Sequence, residues 1–181
     1  SLKHIDIPAS VSGIGNYAFA NCLQLENVEL PDSLMHLDDR AFLGCGMIDM
    51  IDLPSSLVSL GSNVFSGTNI DFLSIPDNIT SFKYDMVTGI KNVVLGTGIT
   101  RISPDCFEGS NLETIEMNGH ITSVEYDGFK DCHNLRSVKF NGGVEYIGSI
   151  SFIRCTSLTR VDIGPTEKLG IDHQAFEDCT S

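Results

Sequence analysis

A parallel, β-rich solenoid is the fold class this sequence predicts, and three observations predict it. The chain repeats itself: Leu2, Leu25, Ile48, Ile70, Ile90, Leu112, Leu135 and Leu158 lead eight copies at intervals of 20 to 23 residues. Each lead opens the same phrase, with an apolar residue three places on, another two places later, and usually Pro or Gly after that. From each lead to a large apolar residue the distance is a constant 17 in the first seven copies, through Phe19, Phe42, Phe65, Val87, Phe107, Phe129 and Phe152. A fixed period of this size makes each copy one coil, which can bury its apolar face only against the coils beside it.

A period of this length on an L-x-x-L-x-L core reads as a leucine-rich-repeat solenoid, a right-handed β/α superhelix of about eight coils of 20–24 residues. Within a copy, Val28 and Leu30 alternate with polar neighbours, which is the period of a strand, and the stacked strands are expected to form a parallel sheet on one face. Pro8, Pro31, Pro54 and Pro76 close that strand, because proline has no N–H to give a ladder. A second short extended piece then ends at glycine, as in Val11/Ile14-Gly15, Leu57/Leu60-Gly61 and Val144/Ile147-Gly148. The Asn16-Tyr17-Ala18-Phe19 segment turns the chain back, with a short 3₁₀ or single helical turn as the expectation.

Length varies on the far side, between the Phe slot and the next lead, as loop positions allow. The eighth copy, Leu158 to Phe176, instead gains one residue near Pro165. Copy four departs most: Met86-Val87 replaces Ala-Phe, and Ile90 follows Val87 after three residues. The junction of copies four and five is therefore expected to be the weakest. Eight contiguous copies with no linker make residues 1–181 one domain. Neither end carries a polar capping unit, so the expectation is part of a longer array.

Eleven basic residues against 24 acidic ones give a net charge of −13. That excess disfavours phosphate-tracking nucleic-acid surfaces and basic membrane patches, and suits a soluble chain or a cationic partner. No apolar run approaches a membrane span and no signal-peptide pattern is present. Cys22, Cys45, Cys132, Cys155 and Cys179 share one repeat slot, which Thr68 and Ser110 fill elsewhere, while Cys106 sits in the Ala slot. A slot that accepts Cys, Thr or Ser wants a small, weakly polar group. Parallel side chains in a ladder also hold Cβ atoms too far apart to bridge, so free thiols are expected.

The full phrase L-x-x-I-x-I-P-x-x-V-x-x-I-G-x-x-A-F-x-x-C is carried by Leu2, Ile5, Ile7-Pro8, Val11, Ile14-Gly15, Ala18-Phe19 and Cys22. It resembles the BspA-like (Treponema pallidum type) leucine-rich repeats over essentially the whole chain. The resemblance implies a repeat array of bacterial or protozoan surface proteins, linked to adhesion and host-protein binding, and brings no catalytic residue with it.

No chemistry competes with that reading. His4, His36, His120, His133 and His173 occupy different slots, and no C-x-x-C pair, nucleophile elbow or phosphate loop appears. The expectation is a non-enzyme with no cofactor and no metal. Asn78-Ile79-Thr80 fits a glycosylation sequon that counts only in a secreted eukaryotic setting.

Two columns on the solvent side of the strands are the candidate sites. One runs Asp6, Glu29, Asp52, Ser74, Val94, Glu116, Lys139, Asp162; its first three members form an acidic column, read as a solvated face because calcium needs six or more oxygens. The other holds His4, Asn27, Met50, Phe72, Asn92, Thr114, Ser137 and Arg160. Met50, Phe72 and Val94 would make a diagonal apolar patch bordered by Asp52, Asn92 and Glu116, a candidate protein-contact site. The function expected is a non-catalytic protein–protein interaction module of a secreted or cell-surface protein. Two alternatives stand beside it. One is a structural spacer that self-associates through its terminal coils, Leu2–Phe19 and Leu158–Phe176; the other is a regulatory array attached to a catalytic domain elsewhere.

Overall fold

The computed structural model describes residues 2–81 and 85–181. In chain order the strands are β1 (Gly13–Ile14), β2 (His36–Leu37), β3 (Ser59–Leu60), β4 (Phe72–Ile75), β5 (Asn92–Leu95) and β6 (Arg101–Ile102). They continue as β7 (Thr114–Met117), β8 (Ser123–Val124), β9 (Ser137–Phe140), β10 (Tyr146–Ile147), β11 (Arg160–Asp162) and β12 (Gly170–Ile171). Every pairing is parallel and joins equivalent positions of successive copies. The result is a parallel β-solenoid of about seven turns. Eight full coils were expected; on the lead-residue face the first copy contributes only the single bridge between Ile5 and Val28.

The long ladder is a five-stranded sheet, β4-β5-β7-β9-β11, whose registers Phe72↔Asn92↔Thr114↔Ser137↔Arg160 follow the repeat alignment. The alternation of exposed and buried residues along β4 is the two-residue period that puts Leu73 and Ile75 inside. In copies two and three the same face is not laddered. No backbone hydrogen bond joins residues 50–53 to residues 28–30 or to β4, so β4 is an edge. The second extended pieces form two more ladders, β1-β2-β3 and β6-β8-β10-β12. Between the lead segment of each copy and its second extended piece, the carbonyls of Pro8, Pro31, Pro54 and Pro76 accept from the amides of Val11, Leu34, Leu57 and Ile79. Proline therefore opens a β-turn in each of these copies, and only Pro76 also follows a strand, β4; the expected strand before Pro8, Pro31 and Pro54 is absent among the described residues.

The far side corrects one expectation: among the described residues it holds no 3₁₀ or α-helix. Two positions per copy take a left-handed φ, one two residues before the Phe slot and one two residues after it. Tyr17 and Asn21 do so in copy one, Arg40 and Gly44 in copy two, Asp127 and Asp131 in copy six. A right-handed helix cannot pass through such residues. Instead, the amides of Tyr17, Phe19 and Asn21 donate to the carbonyls of Asp39, Ala41 and Leu43 in the next coil, while those of Ala18, Ala20 and Cys22 close turns on Gly15, Tyr17 and Phe19. The turns thus ladder between coils much as the strands do. Ile150 takes φ 50° in the same slot that Asn63, Asp85 and Asp105 fill elsewhere. For a β-branched residue that is strained backbone, worth roughly 1–3 kcal/mol.

Inside run continuous columns of like side chains. Phe rings of adjacent coils stack nearly parallel, at 4.8 Å for Phe107–Phe129 and Phe129–Phe152 and at 5.1 Å for Phe19–Phe42 and Phe152–Phe176. Copies two and three are looser, with Phe42 and Phe65 6.1 Å apart. The lead residues from Leu25 to Leu135 are all buried. At the junction of copies four and five the sheet is laddered over four residues. The turn side is underfilled there, where a cavity of about 140 Å³ is lined by Val87, Gly89, Cys106 and Phe107.

All six cysteines are free. Four of the five thiols in the common slot donate to the carbonyl of the Phe position one coil back: Cys45 to Phe19, Cys132 to Phe107, Cys155 to Phe129 and Cys179 to Phe152. Burial pushes the Cys45 and Cys179 thiols up from their ordinary value, and Cys106, deeper still, to about 12. Thiols so raised stay protonated, remain donors and are poor nucleophiles.

Candidate functional site

The solvent side of the strands is where the repeat leaves its free side chains, since the inward positions are full. From copy four onward the ladder registers produce the two expected columns, Phe72-Asn92-Thr114-Ser137-Arg160 and Ser74-Val94-Glu116-Lys139-Asp162. Their polar members bond along the stack: Thr114 donates to Asn92 at 2.7 Å, Lys139 to Glu116 at 3.0 Å and Asn141 to Glu116 at 2.5 Å. The Asn141 amide, and then the Lys139 ammonium, hold the Glu116 carboxyl below its ordinary range.

Met50 is 70 % exposed and Phe72 57 %, the largest such values among the apolar residues of this face. Together with Asp52 they line a trough of about 770 Å³, which opens where residues 50–53 and β4 fail to pair. Phe72 also borders a second, 440 Å³ depression with Asn92, Val94 and Glu116. The six candidate patch residues thus fall into two adjoining hollows that share Phe72, with Val94 half-buried.

Three acidic residues on the trough escaped the sequence reading: Asp49, Asp71 and Asp77. The available signal was charge segregation. Residues 1–81 hold ten acidic side chains and only Lys3 and Arg40 as cations.

The acidic column Asp6, Glu29, Asp52 is less continuous than expected. The Ile5–Val28 bridge sets Asp6 and Glu29 on adjacent coils, but no ladder carries the register on to Asp52, and Asp6 pairs with His4 at 2.8 Å. Among the described residues no three His, Cys, Asp or Glu side chains converge closely enough to hold a metal ion. Among the same residues no helix is long and apolar enough to cross a membrane.

One titratable bridge spans copies six and seven. His120 places Nδ1 2.8 Å from the Gly142 carbonyl and Nε2 2.7 Å from Glu145. Both partners are acceptors, so only the doubly protonated ring satisfies both; first the Gly142 carbonyl and then Glu145 raise its pKa above the ordinary 6.5. A group raised on folding lends stability that is complete below its unfolded pKa and disappears as pH rises through the folded one. In an NMR titration the His120 ring should titrate above an unhindered histidine, and Glu145→Gln should bring it down. A His120 ring that titrates at the ordinary imidazole value would show the bridge absent in solution.

The family comparison agrees with this architecture. A family profile described as "BspA type Leucine rich repeat region" matches residues 1–93 and 84–181 in six copies. Among solved structures, a leucine-rich repeat protein from Bacteroides ovatus is 20 % identical with a TM-score of 0.45; the match covers 99 % of this chain and 65 % of that one. The pneumococcal vaccine antigen PcpA is 20 % identical over 94 % of this chain and 47 % of its own, with a TM-score of 0.45. A leucine-rich cell-surface protein from Faecalibacterium prausnitzii is 18 % identical over 92 % and 61 %, with a TM-score of 0.39. The chain therefore spans about half to two-thirds of these proteins. No curated protein sequence matches it. With the family profile matched across the whole length, the chain belongs to the BspA-type leucine-rich repeat family.

Proposed function

We propose that this chain is a non-catalytic protein-binding module of a secreted or surface-attached protein, serving adhesion or capture of a host protein, and that it uses the open side of its parallel sheet. Family membership supports an interaction module, and a solenoid offers a long contact surface without a specialised residue. The observation that carries the reading is the pair of large apolar side chains, Met50 and Phe72, standing exposed beside a trough in a mostly polar face. Adjacent exposed apolar groups with a polar rim are the anatomy of a contact site.

Removing their apolar character should cost binding and leave folding alone, because neither side chain is part of the core. Phe72→Asp and Met50→Asp are each expected to weaken capture of a protein partner from a mixed extract by at least about tenfold, the usual loss at a central contact. The thermal midpoint should stay within about 2 °C of the parent, as for surface changes of under 0.5 kcal/mol. Undiminished capture by both variants would remove this face from consideration.

A further inference from the structure

The two halves of the sheet face treat their charges differently. In copies four to eight the acids meet cations on the same face: Asp71 with Lys91 at 2.7 Å, Glu113 with Arg136 at 3.2 Å, Glu116 with Lys139 at 3.0 Å and Asp162 with Arg160 at 3.4 Å. In copies two and three Glu26, Glu29, Asp49 and Asp52 lie exposed with no cation beside them among the described residues. Arg40, one of only two cations in the first 81 residues, lies instead over the Tyr17 ring, 5.6 Å from its centroid. Of these unmatched carboxylates, Asp49 and Asp52 line the trough that contains Met50 and Phe72, where the other charged residues are Asp77 and the Lys91-paired Asp71. The segments flanking it are also left with unpaired main chain on this side, the non-strand residues 50–53 on one edge and β4 on the other.

An apolar floor, a one-signed rim and a splayed junction define a complementary occupant. Resting on the protein-binding reading above, we infer that the trough between copies three and four takes a segment of a partner protein in which Lys or Arg side chains alternate with apolar ones. The apolar groups lie against Met50 and Phe72, and the cations lie over Asp49 and Asp52. Matched charge of this kind selects the partner and speeds encounter, while the apolar contact sets the residence time.

The test uses three labelled eight-residue peptides, alternating Lys with Leu, Glu with Leu, and Lys with Ser, whose binding to the full chain is followed by fluorescence anisotropy. The Lys–Leu peptide is expected to bind, at least tenfold more tightly than either of the others, and to weaken as salt is raised. The combined change Asp49→Asn with Asp52→Asn should weaken it at least fivefold. Glu145→Gln with Glu167→Gln, around the separate hollow beside Tyr146, should leave it unchanged. All four side chains are exposed, so circular dichroism should show every variant folded. Equal loss in the two pairs would mean that the overall charge of −13 attracts the peptide, and would overturn the inference. Equal binding of the Lys–Ser peptide, or of the Glu–Leu peptide, would overturn it too. These outcomes leave the wider reading intact, since that one falls only if Met50→Asp and Phe72→Asp capture protein normally.

Discussion

Phe129→Ala is expected to destabilise the chain by about 3–5 kcal/mol, the range for an aromatic removed from a packed core. The ring is fully buried and sandwiched, 4.8 Å from Phe107 on one side and 4.8 Å from Phe152 on the other, with interplanar angles of 10° and 5°. Truncation therefore breaks two stacked contacts and leaves a void that the flanking turns cannot close, because the amide of Phe129 is tied to the Ser151 carbonyl of the next coil. Urea unfolding of the two proteins measures the difference. Phe19→Ala is the internal comparison: that ring is half-buried with one stacking neighbour, and should lose clearly less. Equal losses at the two sites would show that the column does not act as a continuous core.

Gly143→Ala is expected to be about as damaging, roughly 3–5 kcal/mol, the upper end of single-site effects. Gly143 sits at φ 84°, and a Cβ there would fall 1.9 Å from the Pro165 carbonyl oxygen of the following coil. Neighbouring backbone is the obstacle, so no side-chain rotation relieves it. Gly89 separates the two causes. Its φ is 90° but nothing lies within 4 Å of its added Cβ, so Gly89→Ala should lose only the roughly 1–2 kcal/mol of a left-handed L residue. If the two alanines proved equally harmful, close packing of copies seven and eight at Gly143 would be wrong.

Much of the fold was legible because the repeat aligns with itself. Once Leu25, Val28, Leu30 and Phe42 are placed in one copy, the pairing Leu73↔Val93↔Ile115↔Val138 follows by counting, and the structure has it. The thiol column was legible for the same reason, since Cys, Ser and Thr exchange in one slot. The turn conformation was not. Tyr17, Arg40, Ile150 and Gln174 all adopt left-handed φ, yet none advertises it as Gly or Asn would. At Tyr17, Arg40 and Ile150 the amide bonds to the next coil override local preference. The interrupted ladder at copies two and three was equally hidden, because Met50 and Asp52 sit in a phrase as regular as the others. Of the candidate site, Met50 and Phe72 could be placed on one face from strand period alone. Which carboxylates lack partners depends on side-chain reach across coils, and that appears only in three dimensions.

The left-handed pair in every copy has an evolutionary corollary. Because each coil offers its successor the same arrangement of donors and acceptors on both faces, a duplicated copy needs no new junction to be invented. An array of this kind can lengthen or shorten by whole units through gene recombination, changing its reach while each unit is kept or discarded independently.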